Sequence, residues 1–382
     1  MDYIVSIPTT RERSYEILRC LKSIVEGKTR DFPIVVFGQA DDPTIEKTWI
    51  NVLGNHRIIY LGPENVRRLI DYTGSKLVLE RNDLNALFNY RTFGGARNLL
   101  TAFAFVISKN PGVINIDDDE EVLPGFFEEH IKLLGTKTSK GKKITLVTGP
   151  YTNHSSYVGF DTLLYILSRK RGEGIVRDAL RAITYATEEA RGYVYGINGC
   201  RGGNLSRCDS ALRIPYISSP EDINLRGEDE IHADLNQIMN PGCINLYTPN
   251  AKVKHTKRPG YLLENIKGEL IGIIVHEVIR HLELDHQIRE NYINLVDLYS
   301  RKVLEQKRRQ LKQKRFNYSP DIERELSIIV SSVYALLSDV AFFKRQATLY
   351  INNLIYGFNH WEKILDCLSN SSEEAKRYIL TH

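Results

Sequence analysis

Residues 117–121 put Asp117, Asp118, Asp119, Glu120 and Glu121 in one unbroken run, directly behind the apolar stretch VINI. Carboxylates this close repel one another and resist leaving water. Two chemistries fit them: a solvated acidic turn, or oxygen ligands around a divalent cation at a sheet edge. A second acidic pair, Glu228 and Asp229, stands in GEDE. A carboxylate there takes a proton from a hydroxyl, or simply opens a helix, whose first turn favours negative charge. In FGGARN, Gly94 and Gly95 precede Arg97 and Asn98. Glycines ahead of a helix let backbone approach an anionic ligand, or they make a plain helix entry carrying a surface arginine. In RGGN, Gly202 and Gly203 precede Asn204; they leave space beside a ligand or form a tight turn. His255 lies in AKVKHTKRPG among Lys254, Lys257 and Arg258. A lone histidine is either structural or a ligand.

The elements that must position these groups alternate. YIVSI, PIVVFG, HRIIYLG, GVINID and KITLVTGPY read as strands, and helical patterns fall between them. That order predicts an α/β fold with a mostly parallel sheet flanked by helices. Ligands of such sheets sit outside the carboxyl ends of the strands. Pro8, Thr9, Thr10 and Arg11, residues 38–42, and residues 117–119 all fall at those ends. Residues 161–192 read as mostly helical and interrupt the alternation. After about residue 262 the pattern turns helical throughout, which divides the chain into 1–262 and an all-helical 263–382.

Composition bounds the class. The 382 residues carry 42% apolar and 26% charged side chains, as in an ordinary globular protein. A net charge of +4 is too weak to argue for nucleic acid and suits an anionic partner such as a nucleotide or an acidic membrane surface. Five cysteines without C-x-x-C spacing, behind a start with no leader pattern, predict a reducing, cytoplasmic setting. The stretch 327–343 is apolar but contains Asp339, and its helical spacing reads as a core helix rather than a membrane span.

Five segments in order, VSIPTTRER, FGGARN, INIDDDEEVLPGFF, CRGGNLSRCDSALRIP and LRGEDEIHADL, resemble the GT-A fold glycosyltransferases, nearest in pattern to family 2. The resemblance covers roughly residues 1–260 and implies a Rossmann-like catalytic domain. It implies a nucleotide-sugar donor and Mn²⁺ or Mg²⁺. Asp117 and Asp119 form its Asp-x-Asp motif, with Asp119 the direct metal ligand and Asp117 or Asp118 nearer the ribose. His255 is an additional ligand or diphosphate contact. Pro8, Thr9, Thr10, Arg11, Gly95, Arg97, Asn98, Gly202, Gly203 and Asn204 line the donor. Asp229 is the base, with Glu228 the runner-up, and the anomeric configuration inverts. A UDP-sugar comes first, with GDP- and dTDP-sugars as alternatives, because Phe37 or Gly38 stands where the family commonly has a base-contacting aspartate. The acceptor is a carbohydrate or a lipid-linked hydroxyl.

Three rival readings compete: a sugar nucleotidyltransferase, which would carry glycines after the first strand that IPTTRERS lacks; a non-catalytic binding protein, which would have degraded motifs; and a membrane- or partner-binding module centred on the basic helical tail. HEVIRH suggests a zinc helix, but a spacing of five turns about 500°, so His276 and His281 fan apart. The basic run 307–315 reads as a solvated face or as peripheral contact with anionic lipid. The C-terminal helices also offer a homodimer surface.

Overall fold

The computed structural model describes residues 1–382 apart from 11, 13, 29, 43, 55, 153–158, 168–204, 256–261, 285–291, 313–317 and 381–382; for 151, 152, 161, 162, 165, 166, 255 and 282–284 it describes backbone only. Arg11, Gly202, Gly203, Asn204, Lys257, Arg258 and the His255 side chain therefore lie outside the described set.

The described strands are β1 (Asp2–Pro8), β2 (Ile34–Phe37), β3 (Ile58–Leu61), β4 (Pro111–Asn115), β5 (Glu120–Val122), β6 (Lys143–Thr148), β7 (Tyr151–Thr152), β8 (Leu205–Cys208), β9 (Cys243–Tyr247) and β10 (Val253–His255). Seven of them form one sheet in the order β3-β2-β1-β4-β8-β6-β9. β3, β2, β1 and β4 run parallel, β8 runs antiparallel to β4 and β6, and β6 and β9 are again parallel. The expected mostly parallel sheet flanked by helices is present. A small second sheet, β5-β10-β7, stands beside it.

Alternation along the strands makes both faces apolar, as in a sheet covered on both sides. Val5, Ile7, Ile34, Val36 and Ile114 join one core with Ile17 and Leu21 of α1 (Tyr15–Gly27) and Trp49 of α2 (Thr44–Leu53). Ile4, Val35, Phe37 and Val113 join the other. That second core holds Leu69 of α3 (Pro63–Leu77), Leu84 of α4 (Arg81–Leu87) and Phe103 of α5 (Phe93–Ile107). The remaining N-terminal helices are α6 (Phe126–Leu133) and α7 (Phe160–Leu167). Of the predicted helical stretch 161–192, residues up to Leu167 are described, as part of α7.

After α8 (Glu228–Met239), β9 and β10, the described C-terminal region is helical as expected: α9 (Leu262–Leu284), α10 (Tyr292–Lys312), α11 (Pro320–Ser338), α12 (Val340–Asn370) and α13 (Ser372–Leu380). Ile274, Val303, Leu326 and Phe343 build its core together with Phe160 and Ile231. Trp361, Leu365 and Ile379 bury themselves in the same core as Phe103. Both ends of this helical region thus share apolar contacts with the α/β layer. The stretch 327–343 is split between α11 and α12 at Asp339, whose carboxylate accepts from the Phe342 N–H at 3.0 Å. No single described helix is long and apolar enough to cross a membrane, although α11 and α12 would pass as a bent pair.

α9 docks closely. A side chain on Gly272 would place its Cβ 2.0 Å from the Arg226 carbonyl oxygen, and the Arg226 N–H donates to the Gly268 carbonyl at 3.0 Å. The loop that leads to Asp229 is thus held flush against a C-terminal helix.

Candidate active site

The acidic run occupies the end of β4, and each described carboxylate has its own arrangement. Asp117 accepts from Arg97 Nη2 at 2.6 Å. Asp118 accepts from Thr9 Oγ1, at the end of β1, at 2.7 Å. Glu120 folds back to accept from the Asp117 N–H at 3.0 Å, while its own N–H donates to the Asp117 carbonyl at 3.1 Å. Burial first, then the charges of Asp117 and Asp119, push the Glu120 carboxyl well above the usual range, so it favours its proton. Glu121 pairs with Arg19 at 2.8 Å and Lys254 at 3.7 Å. Asp119 is 2% exposed. The repulsion expected of five adjacent carboxylates is met by two arginines, a lysine, a hydroxyl and a glutamate whose burial favours its neutral form. The fully solvated turn is not what forms.

Pairing of β5 with β10 sets His255 opposite Glu120, one residue from Asp119. Among the described residues no three His, Cys, Asp or Glu side chains converge as metal ligands. A Mg²⁺-type ion that arrives on a diphosphate needs only one or two protein carboxylates, because phosphate oxygens and water complete its shell. The oxygen donors at 117–119, buried at Asp119 and half-buried at Asp117 and Asp118, fit that requirement.

Arg97 is the hinge of the site. It sits on α5, which Thr92 caps by accepting from the Gly95 N–H at 3.2 Å. Burial opposes its charge, but the carboxylates of Asp117 and then Asp229 outweigh that and hold the guanidinium protonated. Gly94 and Gly95 bring α5 against the protein itself: a Cβ would lie 1.8 Å from the Ile217 carbonyl oxygen at the first and 2.1 Å from that of Asn89 at the second. Asn98 is wholly engaged with backbone. Its Nδ2 donates to the carbonyls of Leu87 (3.1 Å) and Tyr216 (2.9 Å), and its Oδ1 accepts from the Tyr216 N–H at 2.6 Å. In Arg-Asn, one residue faces the acidic strand end and the other fixes the segment that carries Tyr216.

Glu228 and Asp229 open α8. The Tyr216 hydroxyl donates to Asp229 Oδ1 at 2.8 Å. His232 stacks on the Tyr216 ring at 4.1 Å with 2° between planes, and the Arg207 guanidinium lies 4.6 Å from the ring centroid. Burial, then Asp229, raise the Tyr216 hydroxyl far above its ordinary range, so it remains a donor. Arg207 projects from β8, buried, and donates to Thr101 Oγ1 at 2.8 Å. Burial, then the charge of Asp229, push the half-buried Glu228 carboxyl up to about 8.

Thr9 and the acidic residues thus meet at the sheet's carboxyl edge. Pro8 ends β1 and Thr10 is exposed beside it. At the end of β2, Asp41 accepts from the Glu64 N–H at 2.7 Å and Asp42 from the Thr44 N–H at 2.9 Å, each tying down a helix start. Glu12 instead reaches that strand end and accepts from the N–H groups of Gln39 and Ala40, the latter at 3.1 Å. His276 shares a hydrogen bond with Asp234 at 2.8 Å and His281 with Tyr299 at 2.7 Å, so HEVIRH sends its histidines to separate partners. In the basic run, Lys307 lies over the Phe160 ring at 4.6 Å and Arg308 donates to the Leu337 carbonyl at 2.7 Å.

Tyr216 and Arg207 escaped the sequence reading. An arginine inside the strand-like LSRC was the available signal, since a charge in a buried strand needs a partner. RIPYISSP carried none.

No protein-family model matches the chain, and neither does any curated protein. Among solved structures, S. aureus TarS 1–349 in complex with UDP-GlcNAc is 12% identical at a TM-score of 0.42, covering 95% of this chain and 92% of that one. Glucosyl-3-phosphoglycerate synthase from Mycobacterium tuberculosis, in complex with Mg²⁺ and uridine diphosphate, is 14% identical at 0.38, covering 68% and 72%. Likeness of this extent leaves the chemistry to the chain's own residues.

Proposed function

We propose that the protein is a nucleotide-sugar-dependent glycosyltransferase that transfers a sugar to an acceptor hydroxyl. One observation carries the reading: the buried Arg97 guanidinium pairs with Asp117 at the end of β4 and also feels the charge of Asp229 at the start of α8. A site for group transfer needs a place for the leaving anion next to a base for the incoming hydroxyl, and one cation here, bonded to the first carboxylate, lies within the field of the second. The ordered recurrence of the family-2 segments supports the same reading.

In this proposal Asp119, with Asp117 and His255, holds Mn²⁺ or Mg²⁺. Such an ion neutralises a diphosphate and stabilises it as it departs. Thr9 fixes Asp118 near the ribose. Asp229 takes the acceptor's proton, its rotation set by Tyr216. Glu228, pushed up to about 8, is mostly protonated at neutral pH and is the poorer base. In-line attack at the anomeric carbon then inverts it. UDP-sugars are the first choice of donor, and a cytoplasmic location would supply them.

A thermal-shift titration with UDP, GDP, dTDP and CDP, each with and without Mn²⁺, tests this. Ligand binding to the native state raises its stability. A shift for one nucleotide that needs both Mn²⁺ and Asp119 supports the reading and names the base. Folded protein that shifts with no nucleotide contradicts it.

A further inference from the structure

A cleft of about 630 Å³ opens between α3, α4 and the turn into α5. That volume is ordinary for a small-molecule site. Asn82, Asn85 and Asn89 line it, at spacings of three and four that place them in a row along α4 and its end. The amides of Asn82 and Asn85 are exposed and make no hydrogen bond to any described residue. Tyr90 forms another wall and packs on Phe37 of β2, ring centroids 5.1 Å apart. Pro63 and Pro220 supply further accessible apolar surface.

The charges in the cleft are already balanced. Arg67 pairs with Glu64 at 2.5 Å and lies 3.7 Å from Asp41, and Arg91 pairs with Asp222 at 2.8 Å. An anion would have to displace these carboxylates; a neutral ligand would not. The amides of Asn82 and Asn85 each offer a donor and an acceptor side by side, the pattern that two neighbouring hydroxyls complement. Apolar wall plus amide row matches a pyranose, with its C–H faces and equatorial hydroxyls.

We infer that this cleft binds a neutral saccharide through Asn82, Asn85 and Tyr90. Its position gives it a role. Arg91 bridges to Asp222, and Asn89 Nδ2 donates to the Ser219 carbonyl at 2.8 Å. The cleft therefore joins the turn that opens α5, with Arg97, to the segment that leads to Asp229. A saccharide bound there is the distal part of the acceptor chain; this role rests on the transfer reading above, whereas the binding itself does not.

The test uses the full chain and neutral hexasaccharides of glucose, mannose, galactose and N-acetylglucosamine, read by calorimetry and saturation-transfer NMR. One of them binds at a single site with a Kd between about 10 μM and 1 mM, and Asn82→Ala/Asn85→Ala weakens it about tenfold or more. Both positions are exposed, so the variant keeps its melting temperature. Binding of none of the four by about 10 mM, or equal binding by the double variant, overturns the inference. So does a site that takes inorganic phosphate in an Arg67-dependent way and no hexasaccharide. The nucleotide shift with Mn²⁺ is measured on the same samples. Its loss with saccharide binding intact sinks the transfer reading alone; the converse sinks the cleft alone.

Discussion

Tyr216 donates its hydroxyl to Asp229 Oδ1 at 2.8 Å, while His232 stacks on its ring and Arg207 lies over it. The backbone of Tyr216 is fixed in turn by Asn98, at 2.6 and 2.9 Å. The carboxylate assigned as base is thus oriented by a residue that is itself held at both ends. A hydrogen bond to a charged group contributes ~1.5–3 kcal/mol. Tyr216→Phe keeps the ring packing and lowers kcat about 10- to 100-fold, with the KM for the nucleotide sugar unchanged. Steady-state kinetics on the variant check this. A change confined to KM would assign Tyr216 to binding instead.

Arg97 is buried and paired with Asp117, and the charge of Asp229 also acts on it. Removing one member of a buried ion pair leaves an uncompensated charge and costs ~3–5 kcal/mol. Arg97→Ala should lose that much in urea denaturation, and Asp117→Asn in the same chain should recover part of it. Additive losses in the double-mutant cycle would show that the pair at 2.6 Å is not coupled.

Glu228 sets a pH dependence. Its carboxyl titrates at about 8 in the folded protein, raised by burial and then by Asp229, against about 4.3 in an unfolded chain. Between those values the native state holds a proton that the unfolded state has released. Stability therefore falls as pH rises through that window. Glu228→Gln removes the fall. The variant should match the wild type near pH 4.5 and exceed it by ~1–3 kcal/mol near pH 8.5, allowing for the screening of a half-buried group. Parallel stability curves would contradict this.

Gly272→Ala would drive a methyl to 2.0 Å from the Arg226 carbonyl oxygen. Overpacking of that kind costs ~1–3 kcal/mol. It should also shift the loop before Asp229, so turnover falls more than nucleotide affinity does. Denaturation and binding on one preparation separate the two effects.

What the sequence made legible were features with a local cause. The apolar strands, the glycine-led helix entry at FGGARN and the acidic run behind β4 all read directly from neighbouring residues. What escaped depends on contacts between distant segments. Tyr216 lies 118 residues from Asn98 and 13 from Asp229, and no spacing rule links the three. Gly94 and Gly95 looked like space for a ligand; the space is filled by Ile217 and Asn89. The return of Trp361 and Ile379 onto the core around Phe103 is equally non-local, since an amphipathic helix does not announce which surface it will cover.

The most direct measurement compares Asp229→Asn with Asp119→Asn, each assayed for UDP–Mn²⁺ binding by calorimetry and for UDP release from UDP-sugars in the presence of acceptor. Asp229→Asn should bind UDP–Mn²⁺ like the wild type and lose turnover by about 10²–10⁴-fold, the contribution typical of a positioned base. Asp119→Asn should lose the metal-dependent binding itself. Undiminished turnover in Asp229→Asn, or wild-type protein that binds no nucleotide, would contradict the roles assigned to Asp229 and Asp119.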